Sequence, residues 1–183
     1  GKRVVVIDLD LEAPGLGPLL GAESSRGALD FLVDHMATGE TNFDGLAVPA
    51  SVLDEDGERV RVISAGQLRA GYLEKLARLD YAATTHASGR AEDSPVELAL
   101  RALLFSCRRE HPDFILIDAR AGLHDLAGIS LHRLAHVDVL VTRASEQAHQ
   151  GFDLALDALA RRKGRGNLSC VVVHAMAQVE GTP

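Results

Sequence analysis

The sequence predicts an α/β fold, a mostly parallel sheet sandwiched by helices, and three observations carry that expectation. Five short apolar runs rich in Val and Ile recur along the chain, each too short for a helix. Segments with a helical period lie between them, the alternation that builds βαβ units with right-handed crossovers. Three of the runs end in polar or acidic residues, where parallel sheets hold ligands.

The first run, Arg3–Asp8, contains Val4-Val5-Val6-Ile7 and has the character of a strand covered on both faces. It leads into Asp8-Leu9-Asp10-Leu11-Glu12-Ala13-Pro14-Gly15. Ser25–Thr38 sets Ala28, Leu29, Leu32, Val33 and Met36 on one helical face, and Gly39 offers a stop. Thr41–Glu58, with Gly45, Pro49, Gly57 and the acidic Asp54-Glu55-Asp56, is expected to be a surface excursion. Arg59–Ser64 is the second strand, and Leu68–Tyr81 a helix of less clean period. Thr84–Asp93 is a polar loop.

Ser94-Pro95-Val96-Glu97 has the pattern of a capping box with Pro at the first helical position, opening a helix to about His111. Asp113–Asp118 and Val137–Thr142 are the third and fourth strands. Gln147–Lys163 is amphipathic through Phe152, Leu154, Ala155, Leu156 and Leu159, with Gly164 as its stop, and Leu168–His174 is the last strand. No repeat is visible and neither loop is long enough for a linker, so residues 1–183 are expected to form one domain.

Bulk properties narrow the function. The formal net charge of −7 argues against tracking a phosphate backbone, and 4% aromatics with no Trp argue against a base-stacking platform. The basic Arg161-Arg162-Lys163-Gly164-Arg165 suits a helix C-terminus. Two cysteines, Cys107 and Cys170, are too few for a disulfide framework and are expected in the core. There is neither a secretory leader nor a run of roughly 18 apolar residues that could span a bilayer, so a cytoplasmic protein with no membrane signal is expected.

The strand ends carry the chemistry. Asp8, Asp10 and Glu12 follow the first strand; Asp118, Arg120 and Gly122 end and follow the third; Thr142, Arg143, Ser145 and Glu146 end and follow the fourth. On a shared sheet edge the acids converge, and converging carboxylates call for a proton or a cation. Hard oxygen ligands favour Mg²⁺, which takes one or two carboxylates plus water and phosphate oxygens. A glycine four residues after Asp118 lets backbone approach a ligand closely.

These residues resemble a known family. Val4-Val-Val-Ile-Asp8-Leu-Asp10-Leu-Glu-Ala-Pro-Gly-Leu16 looks like the second-strand motif of MinD/ParA-type P-loop ATPases, the SIMIBI class. Phe114-Ile-Leu-Ile-Asp118-Ala-Arg-Ala-Gly122 resembles the Walker B and switch II segment. Val62-Ile-Ser-Ala-Gly66 is similar to the family's hydrophobic-Pro-Ala-Gly strand end, and Val139-Leu-Val-Thr142 to its fifth-strand segment. The resemblance implies a P-loop NTPase-like, three-layer α/β/α domain that binds ATP and Mg²⁺ and forms a nucleotide-dependent homodimer. It implies that Asp10 positions the attacking water with Asp8 in support, that Asp118 holds Mg²⁺ through a water, and that Gly122 and Arg120 meet phosphate. His174 stands where the family often places an adenine-reading Asn, a departure from the pattern, and is counted with Gly122 and Arg120 among the nucleotide-binding candidates.

The larger departure from the family is the phosphate loop. No Gly-x-x-x-x-Gly-Lys-Ser/Thr phosphate loop occurs in these residues. The expectation is therefore the body of such an ATPase, lacking roughly 30–40 residues of strand, loop and helix before Gly1, and inactive alone. In the family that strand lies beside the Walker B strand, so a gap in the sheet is expected there. Two other functions fit parts of the pattern. A haloacid-dehalogenase-type phosphatase would use Asp8 as nucleophile, Asp10 as acid/base and Ser64 as its second hydroxyl, but it needs Thr or Val where Glu12 stands. A scaffold of the same fold needs the acids only as structural groups.

Overall fold

The computed structural model of the chain describes residues 1–53, 59–85, 94–120, 134–143, 145–161 and 169–175. Contacts group the chain into two compact units, Gly1–Arg120 and Ala121–Pro183.

In the first unit, β1 (Val4–Leu9), α1 (Leu16–Leu19) and α2 (Ala28–Thr38) are followed by β2 (Val48–Pro49), β3 (Val60–Ile63) and α3 (Tyr72–Thr85). Then come α4 (Pro95–Ser106), a 3-10 turn at Cys107–Glu110, and β4 (Phe114–Ala119). The sheet order is β2-β3-β1-β4, with β1 parallel to both β3 and β4 and β2 antiparallel to β3. The register sets Val4 beside Val60 and Phe114, and Asp8 beside Asp118. The apolar run at Val4 is thus an inner strand, and Val5, Ile7 and Leu9 are buried.

α2 buries Ala28, Leu29, Phe31, Leu32 and Val33. Its first turn is pinned to the end of β3: Ala28 N–H donates to Ser64 O at 2.7 Å and Leu29 N–H to Ala65 O at 3.0 Å. Only glycine fits at the approach, because a Cβ on Gly27 would lie 2.3 Å from the Gly66 nitrogen. Asp30 accepts the Gly27 N–H at 2.8 Å, and Gly39, at φ 74°, closes the helix as expected.

Several expectations need correction. Residues 41–53 are more than a surface excursion: Phe43, Leu46, Ala47 and Ala50 are buried, and Val48–Pro49 adds an edge strand, held further by Ala50 N–H to Val60 O at 3.0 Å. Pro49 is tolerated there because an edge position leaves one side of the strand unpaired. The capping box does not form. Ser94 sits at the N-cap without a side-chain bond, and Glu97 instead accepts from Arg101 at 2.7 Å, one helical turn on. Pro95 does open α4. Cys107 is buried, but Cys170 is exposed. The polar loop at 86–93 and the stop at Gly164 lie outside the described residues.

The second unit pairs β5 (Val137–Thr142) with β6 (Ser169–His174), parallel from Val137 beside Ser169 to Thr142 beside His174. α5 (Glu146–Arg161) opens at Ser145, whose hydroxyl accepts the Ala148 N–H at 3.2 Å. Val137, Val139 and Val141 are exposed, together with Val171 and Val173 on the paired strand. In the first unit, β4 has no strand on its outer edge among the described residues, and Phe114 and Leu116 are 55% and 53% exposed. Among the described residues no helix is long and apolar enough to cross a membrane.

Candidate functional site

The carboxyl ends of β1 and β4 bring Asp8 and Asp118 to adjacent positions on one edge of the sheet. Their environments differ. Asp8 is 1% exposed, and its carboxylate is engaged by three backbone donors. Asp10 N–H reaches Oδ1 at 3.1 Å, and Gly15 and Leu16 N–H reach Oδ2 at 3.2 and 3.0 Å. Asp10 in turn accepts the Ala13 N–H at 3.2 Å. The segment 10–16 is therefore wound around two carboxylates, an arrangement that Pro14-Gly15 permits as turn formers. Leu11 is turned into the core, and its carbonyl accepts from the Tyr72 hydroxyl at 2.7 Å.

Burial raises the pKa of Asp8, the Leu16, Gly15 and Asp10 N–H groups work against that rise, and the charge of Asp10 adds to it. Asp118 is exposed, yet its pKa is also raised, first by partial desolvation and then by the charges of Asp8 and Asp10. Tyr72 is pushed up to about 12 by burial and by Asp8, Asp30 and Asp10, so it remains a donor. Glu12 and Arg120 form an ion pair that joins the segment after β1 to the end of β4.

Asp8, Asp10, Glu12, Asp118 and Arg120 are thus gathered at one end of the first unit's sheet. Gly122 lies outside the described residues. His174 is exposed and ends β6 in the second unit, beside Thr142, whose hydroxyl oxygen is buried with no partner among the described residues. Sequence reasoning missed the amides of Gly15 and Leu16 as the partners of Asp8. It also missed Tyr72, which nothing in the local pattern links to residue 11.

The donor set fits one mode of metal binding. Among the described residues no three His, Cys, Asp or Glu side chains form a metal-holding group. Mg²⁺ here would rest on Asp118, with waters and phosphate oxygens completing its shell, the usual economy of protein ligands for this ion. A cation would also relieve the repulsion from Asp8 and Asp10 that raises the Asp118 pKa. The phosphate side fits less well, because the 183 residues contain no phosphate loop. Asp8 is poorly placed as a phosphatase nucleophile: it is enclosed, and both its oxygens already accept backbone bonds.

No protein-family model matches the sequence, and no curated protein does. Solved structures do. The kinase domain of the Escherichia coli tyrosine kinase ETK superposes with a TM-score of 0.53 at 15% identity, over 100% of this chain and 59% of that one. The chimerical protein CapA2B2 gives 0.57 at 15% identity, over 97% and 65%, and the VpsO kinase domain 0.53 at 16%, over 94% and 70%. At such identities the likeness establishes the fold, the three-layer α/β class with a mostly parallel sheet that the sequence predicts. The chain spans less than two thirds of the length of the first two structures.

Proposed function

We propose that this chain is the body of a MinD/ParA-like P-loop ATPase whose intact form binds Mg-ATP and uses hydrolysis as a dimerisation switch. One observation carries the reading: two aspartates in register on neighbouring parallel strands, one locked by backbone amides and one exposed with a raised pKa. In this reading Asp118 holds the ion, which when bound neutralises phosphate charge. Asp10 orients a water, and Asp8 keeps residues 10–16 in place. Arg120 meets phosphate, and Gly122 and His174 are assigned to the nucleotide on the family resemblance alone. Such a site works by positioning and charge stabilisation.

The phosphate cradle is assigned to a strand–loop–helix unit added along the outer edge of β4. Its support is the open edge, the exposed Phe114 and Leu116, and the greater length of the similar kinase domains. Activity, dimerisation and a cytoplasmic location then belong to the longer parent. Calorimetry tests this directly. The 183-residue chain is expected to bind Mg-ATP far more weakly than the same chain with its upstream coding sequence restored. Micromolar binding by the short chain would show that the loop is not required. Phosphotyrosine detection in the same preparations separates transfer to water from transfer to tyrosine, the chemistry named for the similar kinase domains.

A second reading has its own observation. Asp8 and Asp10 both accept backbone N–H groups, as structural acids do, which suits a nucleotide-free scaffold acting through protein contacts. Absence of binding in both preparations favours it.

A further inference from the structure

Arg120 is the cation that the ends of β1 and β4 share, and its position is set by an acid. Asp8 fixes the path of residues 10–16 through the Gly15 and Leu16 amides, and Glu12 projects from that path to Arg120. The pair is about one-third exposed on each side, so water and solute anions reach it. Asp8 and Asp118 lie in register at the carboxyl ends of the two neighbouring strands, close in sequence to the residues that carry the pair. Glu12 is the acid to which the Arg120 guanidinium donates.

We propose that Glu12 is a placeholder for a phosphate group. Arg120 rests on Glu12 while the site lacks an anion and transfers to a polyphosphate when one arrives, releasing the 10–16 segment. The chemistry favours the exchange. A guanidinium matches phosphate oxygens through two parallel N–H bonds, and a polyphosphate carries more negative charge than one carboxylate. A partly exposed ion pair is weak enough to be displaced. Because Glu12 lies on the segment that carries Asp10, arrival of the anion at Arg120 is reported to Asp10 through a single loop. Glu12 also taxes weak singly charged anions, which cannot compete with it, and so sharpens selection for polyphosphates. The inference rests on the nucleotide-site reading for the identity of the anion.

The test uses the ¹⁵N-labelled chain and inorganic tripolyphosphate, followed by the Arg120 Nε–H resonance and the backbone amides of residues 13–16. In the wild type the Arg120 signal is expected to move with anion, and the loop amides to move in step. In Glu12→Gln the midpoint falls about threefold to fivefold, the worth of removing a partly exposed competitor. Arg120→Gln loses the loop response. An Arg120 signal that stays still at saturation overturns the inference, as does an unchanged midpoint in Glu12→Gln or a loop response that survives Arg120→Gln. A separate Mg²⁺ titration follows the amides around Asp118. No response there, with the Arg120 exchange intact, would overturn the nucleotide reading and leave the exchange standing.

Discussion

β1 and β4 are neighbours with nearly the same script, Val-Val-Val-Ile-Asp-Leu and Phe-Ile-Leu-Ile-Asp-Ala, in exact register from Val4–Phe114 to Leu9–Ala119. Their fates differ. β1 has strands on both sides and buries Val5, Ile7, Asp8 and Leu9, whereas β4 has no outer neighbour among the described residues and leaves Phe114, Leu116 and Asp118 exposed. The same division separates the two aspartates. One is spent on three amides and shapes a loop; the other keeps its carboxylate available. Composition makes a run a strand, but the neighbours decide whether its terminal acid builds the site or serves it.

Paired substitutions across the two strands can break this contrast. The largest expected effect is in the core: Ile7→Ala, at a fully buried position, should cost about 3–4 kcal/mol in chemical denaturation. Leu116→Ala on β4 should cost less than about 1 kcal/mol, since half of that side chain is already in water. Equal losses would mean that β4 is as covered as β1.

The aspartates come next. Asp8→Ala strands the amides of Asp10, Gly15 and Leu16 and is expected to destabilise by about 2–3 kcal/mol. Amide exchange of residues 10–16 should rise in parallel. Asp118→Ala should leave stability almost unchanged.

A smaller effect is the pH dependence. Both carboxyls have folded-state pKa values raised above the 3.8 of an ordinary aspartate, so the folded chain binds their protons more tightly than the unfolded chain does. Their contribution favours folding most below 3.8 and is lost as pH rises through the raised values. Asp118→Asn removes one such group and is expected to reduce the loss of melting temperature as pH rises above 3.8. A steeper fall in the variant would contradict the sign.

The strands and helices were legible because each is a run with one period and few rivals: 137–142 is observed with the bounds expected, and 4–9, 114–119 and 169–174 within one residue. What failed to show was what depends on distant partners. β2 hid because Pro49 and a glycine-rich neighbourhood look like loop until β3 lies beside them. Ser94 and Glu97 have capping spacing, yet Ser94 makes no side-chain cap bond and Glu97 pairs with Arg101 one turn later. Cys170 has apolar neighbours in sequence, but among the described residues two strands form its sheet, and it is exposed. For the site, the strand-end spacing sets Asp8, Asp10, Asp118 and Arg120 on one sheet edge, and they lie at one end of the first unit's sheet. It could not tell which aspartate would be enclosed, because that rests on the fold of residues 10–16 and on the edge position of β4.

The most direct measurement is Mg-ATP turnover by the protein with its upstream coding sequence, in wild type and Asp118→Asn, with melting temperatures taken on the same samples. The account expects turnover to fall by about 100-fold or more with the melting temperature held. Turnover that persists in Asp118→Asn, or that falls only as the protein unfolds, would contradict it.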